Sequence, residues 1–263
     1  MTQGLLGPDD PPPISVENED GTAPLLILCD HASNRLPARL GTLGLEPAAL
    51  AQHIAWDIGA AETARRLAAA LDAPLILSVY SRLAVDCNRS LHDPTLIPEV
   101  SDGIAVPGNH ALPAAERRQR IEALHRPYHE TIDRHLGRLA AHRIAPAVIS
   151  IHSFTPRMAG FDRPWHVGVL WDKDPRIPLP LIERLALMGG LAIGDNLPYS
   201  ARSPQGFTMT RHAVAHGLSH VLVELRQDEV ADPAGAARYA GFLERALRPI
   251  LDDPDLYRPA FYP

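Results

Sequence analysis

The chain has 263 residues, 46% of them hydrophobic and 21% charged, with a net charge of −6 at pH 7. This suits one α/β domain with a sizeable core and excludes a disordered chain. The acidic balance argues against a nucleic-acid surface, no run reaches the ~18 apolar residues of a membrane span, and two cysteines, Cys29 and Cys87, cannot build a disulfide framework.

Residues 1–20 are rich in Pro, Asp and Glu and lack the basic and apolar regions of a secretory signal. They read as a surface tail, and a cytoplasmic location is the default expectation. Residues 24–29 (PLLILC) form a short apolar run, the mark of a strand buried on both faces. Residues 48–71, containing AWDIGAAETARRLAAAL, have helical spacing. A second strand is expected at 74–79. A long amphipathic helix, or two, spans 113–142, with Pro at its start where a missing N–H costs nothing. Strands follow at 147–151 and 166–171, a helix at 178–188, and a lead into another strand at 192–195. Residues 208–216 read as a helix stopped by Gly217. The strand 221–225 (VLVEL) and the helix 234–251 close the domain, so residues 21–251 form one α/β unit and 252–263 a second Pro-rich tail. Strands alternating with helices imply a mostly parallel sheet covered on both faces. Such sheets bind ligands beyond their strand C-termini.

Polar residues fall at those ends. The first run leads into Asp30-His31, AVISI into His152-Ser153, and VLVEL carries Glu224. A single strand-end histidine is more often a hydrogen-bonded structural group; two together with a glutamate invite chemistry. A carboxylate inside an apolar strand must be paired, ligate metal or hold a raised pKa, and Arg226 or Arg89 offers the plain ion pair. His53 and Asp57, spaced i and i+4, share one face of the expected first helix. Asp57 is then either a metal ligand or an exposed helix carboxylate. SRLAVDCNR gathers Arg82, Asn88 and Arg89 after the second strand, and arginine forks hold carboxylates. No Gly-rich phosphate loop and no G-x-S-x-G elbow occurs. The cysteines read as buried thiols. Lysine occurs once, at Lys173, so arginine supplies nearly all of the 25 basic residues, and there are 13 histidines. Those of the Arg- and His-rich helix 117–142 read as surface groups.

D-H-A-S-N, S-R-x-x-V-D-x-N-R, a strand ending I-H-S, N-x-P-Y-S and V-E-L-R together resemble the N-formylglutamate amidohydrolases over roughly residues 24–250. The wider setting is similar to the zinc carboxypeptidase and aspartoacylase architecture. That resemblance implies a three-layer αβα fold with a mostly parallel mixed sheet and a Zn2+ site at the strand ends. It implies His31 and His152 as zinc ligands, Glu224 as the group acting on water, Asn88 and Arg89 as the grip on a substrate carboxylate, Arg82 beside the scissile carbonyl, and Tyr199 at the pocket rim. The carboxypeptidase H-x-x-E places a ligand three residues after the first His; here Asn34 stands there, and Asp57 is the family's replacement. The implied reaction is hydrolysis of an N-acyl amino acid, foremost N-formyl-L-glutamate to L-glutamate and formate, a chemistry of histidine degradation. The alternatives are a related metal amidase or peptidase on another acyl-amino acid or peptidoglycan fragment, and a non-catalytic binding protein on the same fold.

Overall fold

The structure is a computed structural model that describes residues 4–141, 145–202 and 206–262. Seven strands form the main sheet: β1 (Ile14–Glu17), β2 (Leu25–Cys29), β3 (Leu75–Ser78), β4 (Ala147–Phe154), β5 (Val167–Leu170), β6 (Ile193–Asp195) and β7 (His220–Arg226). Their order is β1-β3-β2-β4-β7-β5-β6. The four central strands β3, β2, β4 and β7 are parallel, β1 is antiparallel to β3, and β5 is antiparallel to β7, with β6 parallel to β5.

Every residue of β2 and β4 is buried, because helices cover both faces. Alternation along a strand sends successive side chains to opposite faces. Leu25 and Ile27 of β2, Ile149 and Ile151 of β4 and Val221 and Val223 of β7 therefore pack against α1 (Ala60–Leu71), α3 (Pro178–Leu187) and α5 (Pro233–Leu251). Leu26, Leu28, Val148 and Leu222 face α2 (Arg126–Ala140) and α4 (Phe207–His212). The layers are helix, mixed sheet, helix. Among the described residues no helix is long and apolar enough to cross a membrane.

Four sequence expectations are corrected. The N-terminal segment is not wholly a tail, since Ile14–Glu17 pairs with Ser78 to Leu75 as an edge strand. The helix expected over 48–71 breaks in two: a single turn at Pro47–Leu50, then turns up to α1, which starts only at Ala60. Gly59 causes the late start. It sits at φ 79° against the Val230 carbonyl, with which any Cβ would collide. The helix expected over 113–142 is Ala114–Arg120, a π turn at Ile121–His125, and α2; His142 lies outside the described residues. Pro127, with no N–H to donate, accounts for the widened turn. The segment expected as one helix over 208–216 is α4 followed by a 3-10 turn at Val214–His216, which Gly217 ends at φ 64°.

Candidate active site

The register of the sheet assembles the polar groups. Glu224 of β7 lies opposite His152 of β4, and Ser150 of β4 lies opposite Leu28 of β2. Asp30 and His31 follow β2 directly. Asp57 arrives from the turn before α1, where its backbone N–H donates to the His31 carbonyl at 3.0 Å. The expected helical pairing of His53 with Asp57 does not form. His53 turns instead to Asp102, with Nε2 3.1 Å from the carboxylate.

His31, Asp57 and His152 are all buried, and one ligand atom from each lies within 4.8 Å of the others. Asp57 Oδ2 stands 2.7 Å from His152 Nδ1 and 3.3 Å from His31 Nδ1. The outer nitrogens are held as well. His31 Nε2 is 2.8 Å from Asp86 Oδ1 and His152 Nε2 is 2.9 Å from Asp30 Oδ2. With Nε2–H donated outward, both Nδ1 lone pairs point inward. That is the tautomer and orientation of metal-binding histidines backed by carboxylates. Asp30 accepts also from Ser150 at 3.2 Å and Thr208 at 2.7 Å. The chemistry of this donor set fits a divalent metal: two imidazoles and one carboxylate, converging and already oriented.

The carboxylates around the two rings favour their protonated forms. Burial works to lower the His152 pKa, but Asp30 and Asp57 overcome it and hold it well above the usual histidine range. Burial and Arg82 push His31 down, and Asp86 and Asp57 outweigh them to raise it. Burial alone would raise the pKa values of Asp30, Asp57 and Asp86. Their cationic partners reverse this and leave all three below the usual carboxylate range.

Glu224 is different. Its Oε2 is buried with no hydrogen-bond partner among the described residues. Burial pushes its pKa up to about 7, Asp57 adds to the push, and His152, His31 and Arg82 oppose it. The plain ion pair is not made: Arg226 goes to Asp228 at 2.8 Å and Glu229 at 3.0 Å, and Arg89 turns toward Asp93 at 3.9 Å and Thr95 at 3.2 Å. Gly168, opposite Glu224 in the register, lets the Leu197 carbonyl pack closely beside it; a Cβ there would collide with that carbonyl and stand 3.2 Å from the Glu224 Cβ.

Glu224, His31, Asp57 and His152 open onto a cavity of about 370 Å³, together with Arg82, Asn88, Arg89 and Tyr199. Arg82 is tied behind the ligand group, 2.8 Å from Asp86 and 3.6 Å from Asp57, with a quarter of its side chain exposed. The Asn88 Oδ1 accepts from the Thr208 backbone N–H at 3.0 Å, so its amide N–H₂ is the end left for the cavity. Tyr199 accepts from Arg163 at 2.9 Å beneath that guanidinium.

The sequence reading assigned no role to Asp30 and Asp86, although both sit in quoted motifs, one directly before His31 and one two residues before Asn88. It also missed a second histidine group. His125 and His129 are not surface residues; both are buried, as is His212. His129 Nε2 meets the Cys87 carbonyl at 3.0 Å, its Nδ1 meets His212 Nε2 at 2.7 Å, and His125 Nε2 meets the Arg89 carbonyl at 2.9 Å. These rings grip the backbone on either side of Asn88. Cys29 and Cys87 are buried thiols, and burial raises the pKa of both.

The sequence pattern of the N-formylglutamate amidohydrolase family matches residues 23–231. The chain belongs to that family. Among solved structures it is similar to a gene product of Agrobacterium tumefaciens, with a TM-score of 0.91 and 34% identity over 94% of this chain and 98% of that one. It shares its fold with an N-formylglutamate amidohydrolase from Ralstonia eutropha, at a TM-score of 0.62 and 18% identity over 91% of this chain and 97% of that one. No curated protein sequence matches the chain significantly. Membership of this amidohydrolase family makes the chain an enzyme acting on amide bonds of small molecules.

Proposed function

We propose that the chain is a zinc-dependent hydrolase of N-acyl amino acids, releasing formate and L-glutamate from N-formyl-L-glutamate. The observation that carries this reading is the buried Glu224 carboxylate, whose Oε2 has no hydrogen-bond partner among the described residues, beside three converging metal-type donors in an open cavity. His31, Asp57 and His152 would hold the ion. A zinc ion there supplies Lewis acidity, polarising an acyl oxygen and lowering the pKa of water toward about 7.

The protein's own groups do the rest. Glu224, with a pKa near working pH, takes a proton from the attacking water and delivers it to the leaving nitrogen. The Asn88 amide and Arg89 hold the substrate carboxylate by a neutral and a charged donor. Arg82, fixed by two buried carboxylates, turns its exposed edge to the negative charge that develops on the acyl oxygen. Asp30 and Asp86 keep both histidine rings turned inward.

The test is formate release from N-formyl-L-glutamate by zinc-loaded protein, compared with Glu224→Gln. The variant should keep stoichiometric zinc by elemental analysis and lose kcat by about 10²–10⁴-fold. Turnover within a few-fold of the wild type would remove Glu224 from the reaction.

A further inference from the structure

Arg163 stands against the cavity wall, and the local chain path explains why. Beyond β4 the chain turns back on itself, with Arg157 paired to Asp162 and Met158 to Phe161. Ala159 and Gly160 close this hairpin at φ 49° and 85°, the positive values of a tight two-residue turn. The Arg163 N–H then donates to the Pro156 carbonyl at 2.8 Å, which returns the residue to the end of the strand that carries His152. One guanidinium nitrogen donates to the Tyr199 hydroxyl at 2.9 Å and the Thr155 hydroxyl at 3.4 Å, and another to the Met158 sulfur at 2.8 Å. The guanidinium carbon is 4.8 Å from the Tyr199 ring centroid and 6.0 Å from that of Phe154. Phe154, Thr155, Met158 and Tyr199 all line the cavity.

Every acceptor that Arg163 reaches among the described residues is neutral. Arg82 and Arg89 differ: the first is tied to Asp86 and Asp57, and the second turns toward Asp93. A guanidinium keeps its charge at any working pH, and its planar fork matches a carboxylate. Tyr199 and Thr155 accept from it and so keep their own hydroxyl protons to donate; among the described residues the Tyr199 O–H reaches nothing better than the Met158 sulfur at 4.0 Å. Tyr199 also ties this corner to the reacting centre. Burial raises its pKa, Glu224 adds to the rise, and Arg163 opposes it.

The strand order sets the corner apart from the first carboxylate grip. Asn88 is bound through Thr208 to Asp30, at the end of β2. Arg163 stands just before β5. Between β2 and β5 run β4 and β7, with His152 and Glu224. A ligand with its amide at Glu224 and one carboxylate at Asn88 and Arg89 therefore meets a cation on the opposite flank. A second carboxylate entering the cavity without that cation would lose hydration uncompensated.

We infer that Arg163, with the hydroxyls of Tyr199 and Thr155, receives the side-chain carboxylate of an N-acylated dicarboxylic amino acid and is the residue that selects glutamate over glutamine. This rests on the hydrolase reading above and names what sets its specificity.

The experiment compares kcat/KM for N-formyl-L-glutamate and N-formyl-L-glutamine, which differ by one charge at nearly equal size, with the zinc-loaded full chain at pH 7. Glutamate should be favoured by about 10²-fold. Arg163→Met should lower the glutamate value about 10²-fold and leave the glutamine value within about 3-fold, so that the preference disappears. A wild type that cleaves both equally, or an Arg163→Met protein that loses both alike with the ratio kept, would overturn the inference and leave the hydrolase reading intact. Arg157→Met, exposed on the same hairpin, should keep the preference; losing it there would assign the effect to the hairpin and overturn the role of Arg163. If protein with stoichiometric zinc cleaves neither compound, the hydrolase reading fails, and calorimetric binding of the same two compounds decides the inference separately. A glutamate preference that Arg163→Met abolishes supports it, and equal binding, or a preference that survives the substitution, overturns it.

Discussion

Two groups of buried histidines lie on opposite sides of the segment 86–89, and they differ in what their rings face. His31 and His152 have a carboxylate at each nitrogen. His125 and His129 have backbone carbonyls at Nε2, and only His212 at the outer end reaches a carboxylate, Asp133, which is nearly half exposed. The consequences are opposite. Carboxylates overcome burial and raise the first pair. In the second group burial dominates and lowers His129 to about 2 and His212 to about 4. On the metal reading proposed above, the first group exchanges protons for a cation; the second stays neutral and braces the backbone that carries Asn88.

His152→Ala and His129→Ala separate the two groups most sharply. The first should abolish stoichiometric zinc binding and at least 10³-fold of turnover, the second should retain zinc; full zinc content in His152→Ala would remove that residue from the ligand set. Next in size, Asp86→Asn should weaken zinc affinity about 10–100-fold in a chelator competition, because it loosens the His31 ring without removing a ligand. An unchanged affinity would mean that Asp86 serves Arg82 alone. His129→Ala should also cost about 1–3 kcal/mol in denaturant unfolding, since it leaves His212 Nε2 without its partner and the Cys87 carbonyl with only the Thr208 hydroxyl at 3.4 Å. A loss below about 0.5 kcal/mol would show that the brace is dispensable.

The smallest effect is the dependence of stability on pH. A histidine whose folded pKa is raised stabilises fully below its unfolded value of about 6.5, and that contribution is lost as pH rises through the folded value. A histidine whose folded pKa is lowered stabilises fully above about 6.5 and loses this as pH falls toward the folded value. Metal-free protein should therefore have its highest Tm near pH 6.5, falling on each side by roughly 3–5 °C per pH unit for each proton exchanged. Zinc should flatten the alkaline side and His129→Asn the acidic side. A metal-free Tm that climbs steadily from pH 6.5 to 9 would contradict the raised pKa values of His31 and His152.

The central sheet was legible because continuous apolar runs have few other fates in a chain of this size. His31, His152 and Glu224 were legible because a polar group ending such a run is conspicuous. Three features were hidden for physical reasons. Ile14–Glu17 is an edge strand after three prolines, and four half-buried residues carry almost no pattern. The break before α1 depends on Gly59 meeting the Val230 carbonyl, a contact across 171 positions of sequence. The buried His125 and His129 lie on an Arg-rich amphipathic helix whose composition resembles a wet surface. Only the carbonyls of Cys87 and Arg89, far away in sequence, make their burial tolerable.

The strand order β2-β4-β7 sets a ruler beneath the site. His152 and Glu224 hang from neighbouring parallel strands and His31 follows the end of the third, β2; the strand spacing of about 4.8 Å is fixed by backbone hydrogen bonding and not by any side chain. His152 and Glu224, with His31 next to them, thus share a scale that point substitutions cannot stretch. Asp57 comes from a turn with no sheet strand leading into it, anchored by its N–H on the His31 carbonyl and followed two residues later by Gly59. On the metal reading proposed above, adaptation to a larger or smaller ion has one cheap place to begin, residues 57–59, where a small backbone shift moves a single oxygen against a fixed grid.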